Sequence, residues 1–300
     1  MKVFSTAYAL NLAKDISKNL NVPLGEIERT VFPDGEKRIR ILEYIADEDV
    51  ILVACRDDDP DTFYFEIFFI VDALKRSGAR KVILAIPYLS YQRQDHMFRE
   101  GEAVSLDVVA ETLERVGVDV IITFDLHSIK IPEEFSIPVH HLSALPLFAQ
   151  EIEKIGKKDA VLVSPDMGGV RRIKIISEML SDLPFASVEK SRNLSTGEIS
   201  STEIEGIVAR KVFIVDDMIS TGKTIIASAE LLAQKGAEEI YVFATHPVFS
   251  ENAQALLSNG LIKKVYVTDS IALSPSKKFK NLKILSLSDL ICKEVKKIAK

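Results

Sequence analysis

From end to end, short apolar runs alternate with stretches of helical periodicity, and this pattern restricts the chain to an α/β architecture. Runs at Lys2–Ser5, Val50–Ala54, Lys81–Ile86, Val120–Phe124, Ala160–Ser164, Val212–Val215, Ile240–Ala244 and Lys264–Val267 are four to six residues long. They are apolar at nearly every position, as expected of strands covered on both faces. Helical patterns fall between them, among others at Phe65–Ser77, Ser105–Val116, Gly169–Leu180 and Thr224–Lys235. Strand–helix alternation of this kind predicts parallel, doubly wound sheets. A weak internal repeat sharpens the reading. VILVACRDDDP, a helix ending ALKRSGA, and RKVILAIPYLSY are answered by KVFIVDDMIST, a helix ending LLAQKGA, and EEIYVFATHPVFS. The expectation is two related α/β domains, residues 1–142 and 143–282, with the boundary near His141–Leu145. A closing strand and helix, 283–300, are expected to pack on the first.

Composition narrows the function classes. With 300 residues and 47% apolar content there is material for sizeable cores. No apolar stretch reaches the length of a membrane span, and the first residues read as a strand and helix rather than a signal peptide. Two cysteines, Cys55 and Cys292, are too few for a disulfide scaffold or a zinc site. The expected location is the cytoplasm. A formal net charge of −6 argues against a nucleic-acid surface.

In doubly wound sheets ligands gather outside the carboxyl ends of the strands, so the residues following each apolar run carry the functional information. The strongest case is KVFIVDDMISTGKTI, Lys211–Ile225. The run Val212–Val215 ends in two acids, Asp216 and Asp217. A loop of small and hydroxyl residues follows (Ser220, Thr221, Gly222, Lys223, Thr224), and a helix starts near Ile225. N–H groups at a helix start, with the Thr221 and Thr224 hydroxyls, suit a phosphate. Two carboxylates one step upstream suit a ribose diol or a magnesium ion. Gly222-Lys223-Thr224 alone suggests a nucleotide P-loop, but that motif needs a glycine where Asp217 stands. A ligand-free turn is a poor alternative, because adjacent strand-end carboxylates repel each other.

Other strand ends deliver polar groups with two readings each. His127, after Asp125, is a metal ligand or a satisfied structural histidine. Asp166, before Gly168-Gly169, is a ligand or a helix N-cap. Arg93, Gln94 and Asp95 are functional or a solvated loop. Phe32-Pro33-Asp34-Gly35-Glu36 carries a strong Asp-Gly turn signal and reads alone as a hairpin turn. Lys190 and Arg192 share one strand face before a polar stretch. They form an exposed basic hairpin or a mobile cover that brings two cations onto transferring phosphates.

The run Lys211–Ile225 resembles the PRPP-binding loop shared by type I phosphoribosyltransferases and ribose-phosphate pyrophosphokinases, with Lys223 where many members have glycine. The other segments together resemble the ribose-phosphate pyrophosphokinase (PRPP synthetase) family over nearly the whole chain. The resemblance implies two domains of the type I phosphoribosyltransferase kind and transfer of the β,γ-diphosphoryl group of ATP to ribose 5-phosphate. It implies ATP contacts at Phe32, Asp34, Glu36, Arg93, Gln94 and Asp95. Ribose 5-phosphate contacts are implied at Asp216, Asp217, Ser220, Thr221, Gly222, Lys223 and Thr224. Mg²⁺ falls to His127 and Asp166, and the catalytic cations are Lys190 and Arg192. It further implies a homo-oligomer whose adenine site is shared between subunits. His96 and Met97 depart from the pattern, standing where many members have basic residues. The competing readings are a phosphoribosyltransferase and a catalytically silent regulatory homologue.

Overall fold

The computed structural model describes residues 1–56, 58–192 and 199–299, and for 189–192 and 199–202 the backbone alone. The chain forms two compact units. The first comprises Met1–Leu142, Ser270–Ala272 and Ser286–Lys300, and the second Ser143–Asp269 and Leu273–Leu285.

In the first unit the elements run β1 (Lys2–Ser5), α1 (Leu10–Leu20), β2 (Ile27–Val31), β3 (Lys37–Ile41), β4 (Asp49–Val53), α2 (Pro60–Arg76), β5 (Lys81–Ala85), α3 (Ser105–Val116), β6 (Val120–Phe124) and β7 (Val139–Leu142). Five strands form one parallel sheet in the order β1-β4-β5-β6-β7. Alternation sends Val50, Leu52, Val82, Leu84 and Ile121 into a core with the buried faces of α2 and α3. The intervening Ile51, Ile83 and Ile122 are equally buried. On that opposite face α1 packs against β1 and β4. This two-sided cover is why the strands read as continuous apolar runs. β2 and β3 stand apart as an antiparallel hairpin, tied to α2 by the Arg29–Glu66 ion pair at 2.8 Å.

In the second unit the order is α4 (Leu145–Ile155), β8 (Ala160–Ser164), α5 (Val170–Met179), β9 (Phe185–Arg192), β10 (Ile199–Glu205), β11 (Lys211–Ile219), α6 (Lys223–Gln234), β12 (Glu239–Pro247), α7 (Ala253–Leu257), β13 (Ile262–Thr268) and β14 (Leu282–Leu285). The sheet order is β10-β9-β8-β11-β12-β13-β14, parallel throughout except for β9–β10. From β8 the chain first steps outward to β9 and then returns to place β11 on the other flank. The order therefore reverses between β8 and β11, the crevice where doubly wound sheets hold ligands.

The internal repeat corresponds to two strand–helix–strand units. β4–α2–β5 and β11–α6–β12 each join neighbouring parallel strands. Both helices close through Gly-Ala, with Ala79 and Ala237 donating back to Leu74 and Leu232 at 3.1 and 3.0 Å. The helix α6 begins at Lys223, two residues before the expected Ile225, because the sharp turn is completed at Gly222. The tail is corrected: residues 283–300 do not travel together. β14 completes the second sheet beside β13, whereas α8 (Ser288–Ile298) packs on α1 of the first unit. Apolar periodicity identified both elements, but strand pairing and helix packing have different partners.

Glu294 ties α8 to β7 of the same unit. Its carboxylate lies 2.9 Å from His140 Nδ1 and 2.6 Å from Lys297 Nζ. The Lys297 bond, helped by His140 and opposed by burial, holds the Glu294 carboxyl below its ordinary value. A lowered folded value gives stability that is present above the ordinary glutamate range and lost as pH falls through the folded value. Urea denaturation should find Glu294→Gln about 1 kcal/mol less stable than the parent at neutral pH, with the gap closing in acid. A gap independent of pH would contradict this role for the charge.

Candidate functional site

Because β4, β5 and β6 are parallel neighbours, the residues after them share one edge of the first unit. Arg56 follows β4, Ser90 to Gln94 follow β5, and His127 follows β6. Arg56, Arg93 and Arg99 line a cavity of about 650 Å³ together with Ser90, Gln94 and Glu102. Arg93 and Gln94 are exposed, and Asp95 bonds His96 Nδ1 at 2.7 Å. His127 is exposed, and its N–H donates to Gln92 Oε1 at 2.8 Å. Gln92 is fully buried, so it fixes the backbone of the His127 turn to the segment bearing Arg93. The Phe32–Glu36 segment is the tip of the β2–β3 hairpin, closed by Phe32 N–H to the Glu36 carbonyl at 2.8 Å and Glu36 N–H to Asp34 Oδ1 at 3.1 Å. Phe32, Asp34 and Glu36 are all exposed, with the Arg38 guanidinium 5.8 Å from the Phe32 ring centre. The turn reading of this segment was correct as local structure.

In the second unit the structure brings Asp166, Asp216, Asp217 and the Ser220–Thr224 loop to the edge where β8 and β11 meet. Asp216 and Asp217 lie within β11 rather than beyond it. Burial first, then the neighbouring Asp217, hold the Asp216 carboxyl well above the usual carboxylate range. Asp166 adds to this, and Arg172 opposes it. Arg172, on α5, reaches Asp216 at 3.1 Å and Asp217 at 3.6 Å. Asp166 also caps its own turn, its Oδ1 accepting the Gly169 N–H at 3.1 Å while Ser164 Oγ donates to its carbonyl at 2.7 Å. A Cβ at Gly169 would stand 2.3 Å from that Ser164 Oγ, so glycine lets the turn close against β8.

The loop after β11 enters α6 through Gly222, whose φ of 77° favours glycine. The N-cap Gly222 has no side chain to cap α6, and Thr221 Oγ1 accepts the Lys223 N–H at a long 3.4 Å, so hydroxyl and helix start stand together at the positive end of the helix dipole. The loop is braced from the segment after β12. Phe249 and Ser250 N–H donate to the Ile219 and Ser220 carbonyls at 3.0 and 3.1 Å. The Ser220 and Ser250 hydroxyls are 2.9 Å apart. Lys223 pairs with Glu251 at 3.0 Å, so its charge is directed to a neighbouring surface acid. The pair is exposed and contributes little stability.

Lys190 and Arg192 lie on the backbone of β9, but their side chains fall outside the described residues. β9 pairs with β8 only as far as Ser164 opposite Ser187 and then runs on to Arg192 against β10. Five further residues carry it roughly 16 Å past the end of β8. Sequence reasoning missed Arg172, Arg56, Ser250 and Glu251. Arg172 sits among Arg171 and Lys174 on a helix whose charged positions look merely solvated.

Three carboxylates against one guanidinium form an oxygen-rich edge suited to a hard divalent cation. Among the described residues, however, no three His, Cys, Asp or Glu side chains converge into a ready metal cluster. That donor set fits Mg²⁺, which keeps several waters and takes only one or two protein carboxylates.

An α/β fold with an anionic crevice, a helix start led in by Gly222 and hydroxyl residues, and an arginine-lined cavity defines a protein built to handle phosphorylated small molecules. Comparison with known proteins specifies which kind. Residues 1–117 match the N-terminal domain of ribose phosphate pyrophosphokinase, and residues 181–300 match the phosphoribosyl synthetase-associated domain. The chain is 37% identical to a ribose-phosphate pyrophosphokinase of Fusobacterium nucleatum, covering 99% of this chain and 95% of the relative. It is 36% identical to one of Gloeobacter violaceus, covering 97% and 88%. The phosphoribosylpyrophosphate synthetase structure from Mycobacterium smegmatis superposes with a TM-score of 0.91 at 30% identity, covering 99% of this chain and 98% of that one. The chain belongs to the ribose-phosphate pyrophosphokinase family.

Proposed function

We infer that the chain is a ribose-phosphate diphosphokinase, which transfers the β,γ-diphosphoryl group of ATP to the anomeric hydroxyl of ribose 5-phosphate for nucleotide biosynthesis. The observation that carries this is likeness to ribose-phosphate pyrophosphokinases over 99% of the chain. In the reaction the anomeric oxygen bonds to the β-phosphorus, the bond from that phosphorus to the α,β-bridging oxygen breaks so that AMP leaves with that oxygen, and the hydroxyl proton passes to solvent. The products are PRPP and AMP.

The protein's part is positioning and charge neutralisation. The N–H groups and hydroxyls of Ser220, Thr221, Gly222, Lys223 and Thr224 hold the 5-phosphate. Asp216 and Asp217 accept from the ribose hydroxyls, an arrangement that needs both ionised and so gains from a cation beside them. His127 and Asp166 hold Mg²⁺, which neutralises ATP phosphate charge when bound. Arg93 and Gln94 orient the ATP phosphates, with Asp95 beside them. Phe32 stacks on adenine, and Asp34 and Glu36 bond its edge. Lys190 and Arg192 close over the moving diphosphoryl group. The exposed setting of Phe32 supports a homo-oligomer in which the adenine site is shared between subunits. Among the described residues no helix is long and apolar enough to cross a membrane, which is compatible with a cytoplasmic location.

A phosphoribosyltransferase reading leaves the first unit and its arginine-lined cavity without a task. The test is product analysis with ATP, Mg²⁺ and ribose 5-phosphate. Equal AMP and PRPP, abolished by EDTA, is the expected result. ADP in place of AMP would mean a simple kinase, and ATP binding without turnover would mean a silent regulatory homologue.

A further inference from the structure

We propose that Arg56, which follows β4, is a polyphosphate-binding residue of the ATP site, adding a cation from a second strand end to those of the loop after β5. The inference rests on the reaction proposed above. His96 and Met97 follow Arg93-Gln94-Asp95, and neither is a permanent cation. The 650 Å³ cavity beside Arg93 and Gln94 nevertheless holds two further guanidinium-bearing residues, Arg56 and Arg99. Its acid, Glu102, accepts the Phe98 and Arg99 backbone N–H groups at 3.0 Å each, so that carboxylate is committed to holding the loop.

Arg56 comes from a different strand and is built into place. Its guanidinium lies 5.5 Å from the Tyr88 ring centre, and its Nη1 is 3.5 Å from Ser90 Oγ. Its carbonyl accepts the Ala272 N–H at 3.0 Å. A side chain held on an aromatic face gives up little further freedom when it binds an anion. The guanidinium fork suits phosphate oxygens in a way an ammonium does not. The adjoining helix start cannot serve instead, because Asp59 Oδ1 already accepts the Asp61 and Thr62 N–H groups at 3.0 and 3.2 Å. Anion binding at this edge therefore falls to arginine side chains.

The test compares the parent with Arg56→Gln and Arg56→Lys in the full chain. The expected result for Arg56→Gln is a KM for ATP raised about tenfold or more, with KM for ribose 5-phosphate unchanged. Inhibition by adenosine, which has no phosphate, should stay at the parental value. Arg56→Lys should recover part of the ATP affinity. A purely structural Arg56 would move all three quantities or the melting temperature, and a bystander would move none; either outcome overturns the proposal. A parent enzyme that makes no AMP and PRPP would instead refute the proposed reaction, whereas an active parent with an indifferent Arg56→Gln refutes this inference alone.

Discussion

Replacement of Lys190 by alanine is expected to cut turnover roughly a hundredfold or more, with little change in ribose 5-phosphate affinity. A lost cation at the transferring group is comparable to a lost oxyanion donor, about 3–4 kcal/mol of barrier. The split between turnover and affinity follows from the layout of the second unit. The ribose 5-phosphate contacts are assigned to β11 and the start of α6. Lys190 lies three residues beyond Ser187, the last β9 residue paired with β8, on a stretch of β9 that projects past the sheet edge. Such a strand can reach a group above the edge while leaving the edge intact. Steady-state kinetics decide the matter, and near-normal turnover in Lys190→Ala would sink the catalytic assignment.

The second large effect concerns Arg172. Its guanidinium spans Asp216 and Asp217 and is itself only 17% exposed. Removing one partner of a buried ion pair leaves uncompensated charge, which costs about 3–5 kcal/mol. Arg172→Met fills similar space without the charge and should lower unfolding stability by about 3 kcal/mol in the absence of metal. Adding Asp216→Asn should return a measurable part of that loss, because the repelling carboxylate is then gone. Chemical denaturation of the parent, both single variants and the double variant closes the cycle. If Arg172→Met alone changed stability by less than about 0.5 kcal/mol, the guanidinium would not be balancing the acid pair.

The parts of this molecule legible in sequence are those where local chemistry repeats the global fold. Val212–Val215 could be read because burial on both faces leaves an unbroken apolar run, and Asp216-Asp217 followed by Gly222 because each breaks that run for a reason. The reversal of strand order between β8 and β11 was not legible, since no local residue records which neighbour a strand will take. For the same reason the tail divided between two units while looking like one segment. Short edge strands such as Val139–Leu142, two of whose four residues are histidine, carry too little pattern to be recognised. Arg56 and Arg172 escaped because Tyr88 and Asp216, which they face, lie 32 and 44 positions away in the chain, and a lone arginine resembles any surface cation.

The contrast between the two repeated strand–helix–strand units has an evolutionary consequence. In one, the Asp59 carboxylate takes two N–H groups at the start of its own helix; in the other, the helix start after Gly222 meets only the uncharged Thr221 hydroxyl, at 3.4 Å. An anion gripped by main-chain amides is insulated from most side-chain drift, because any residue supplies the same N–H. An anion gripped by guanidinium groups is exposed to drift at every codon that encodes one. If α6 holds the sugar phosphate as proposed, the main-chain share of that grip is its mutationally sheltered part. The nucleotide end is where relatives are free to trade cations between strands, and where differences in nucleotide preference within the family should accumulate first.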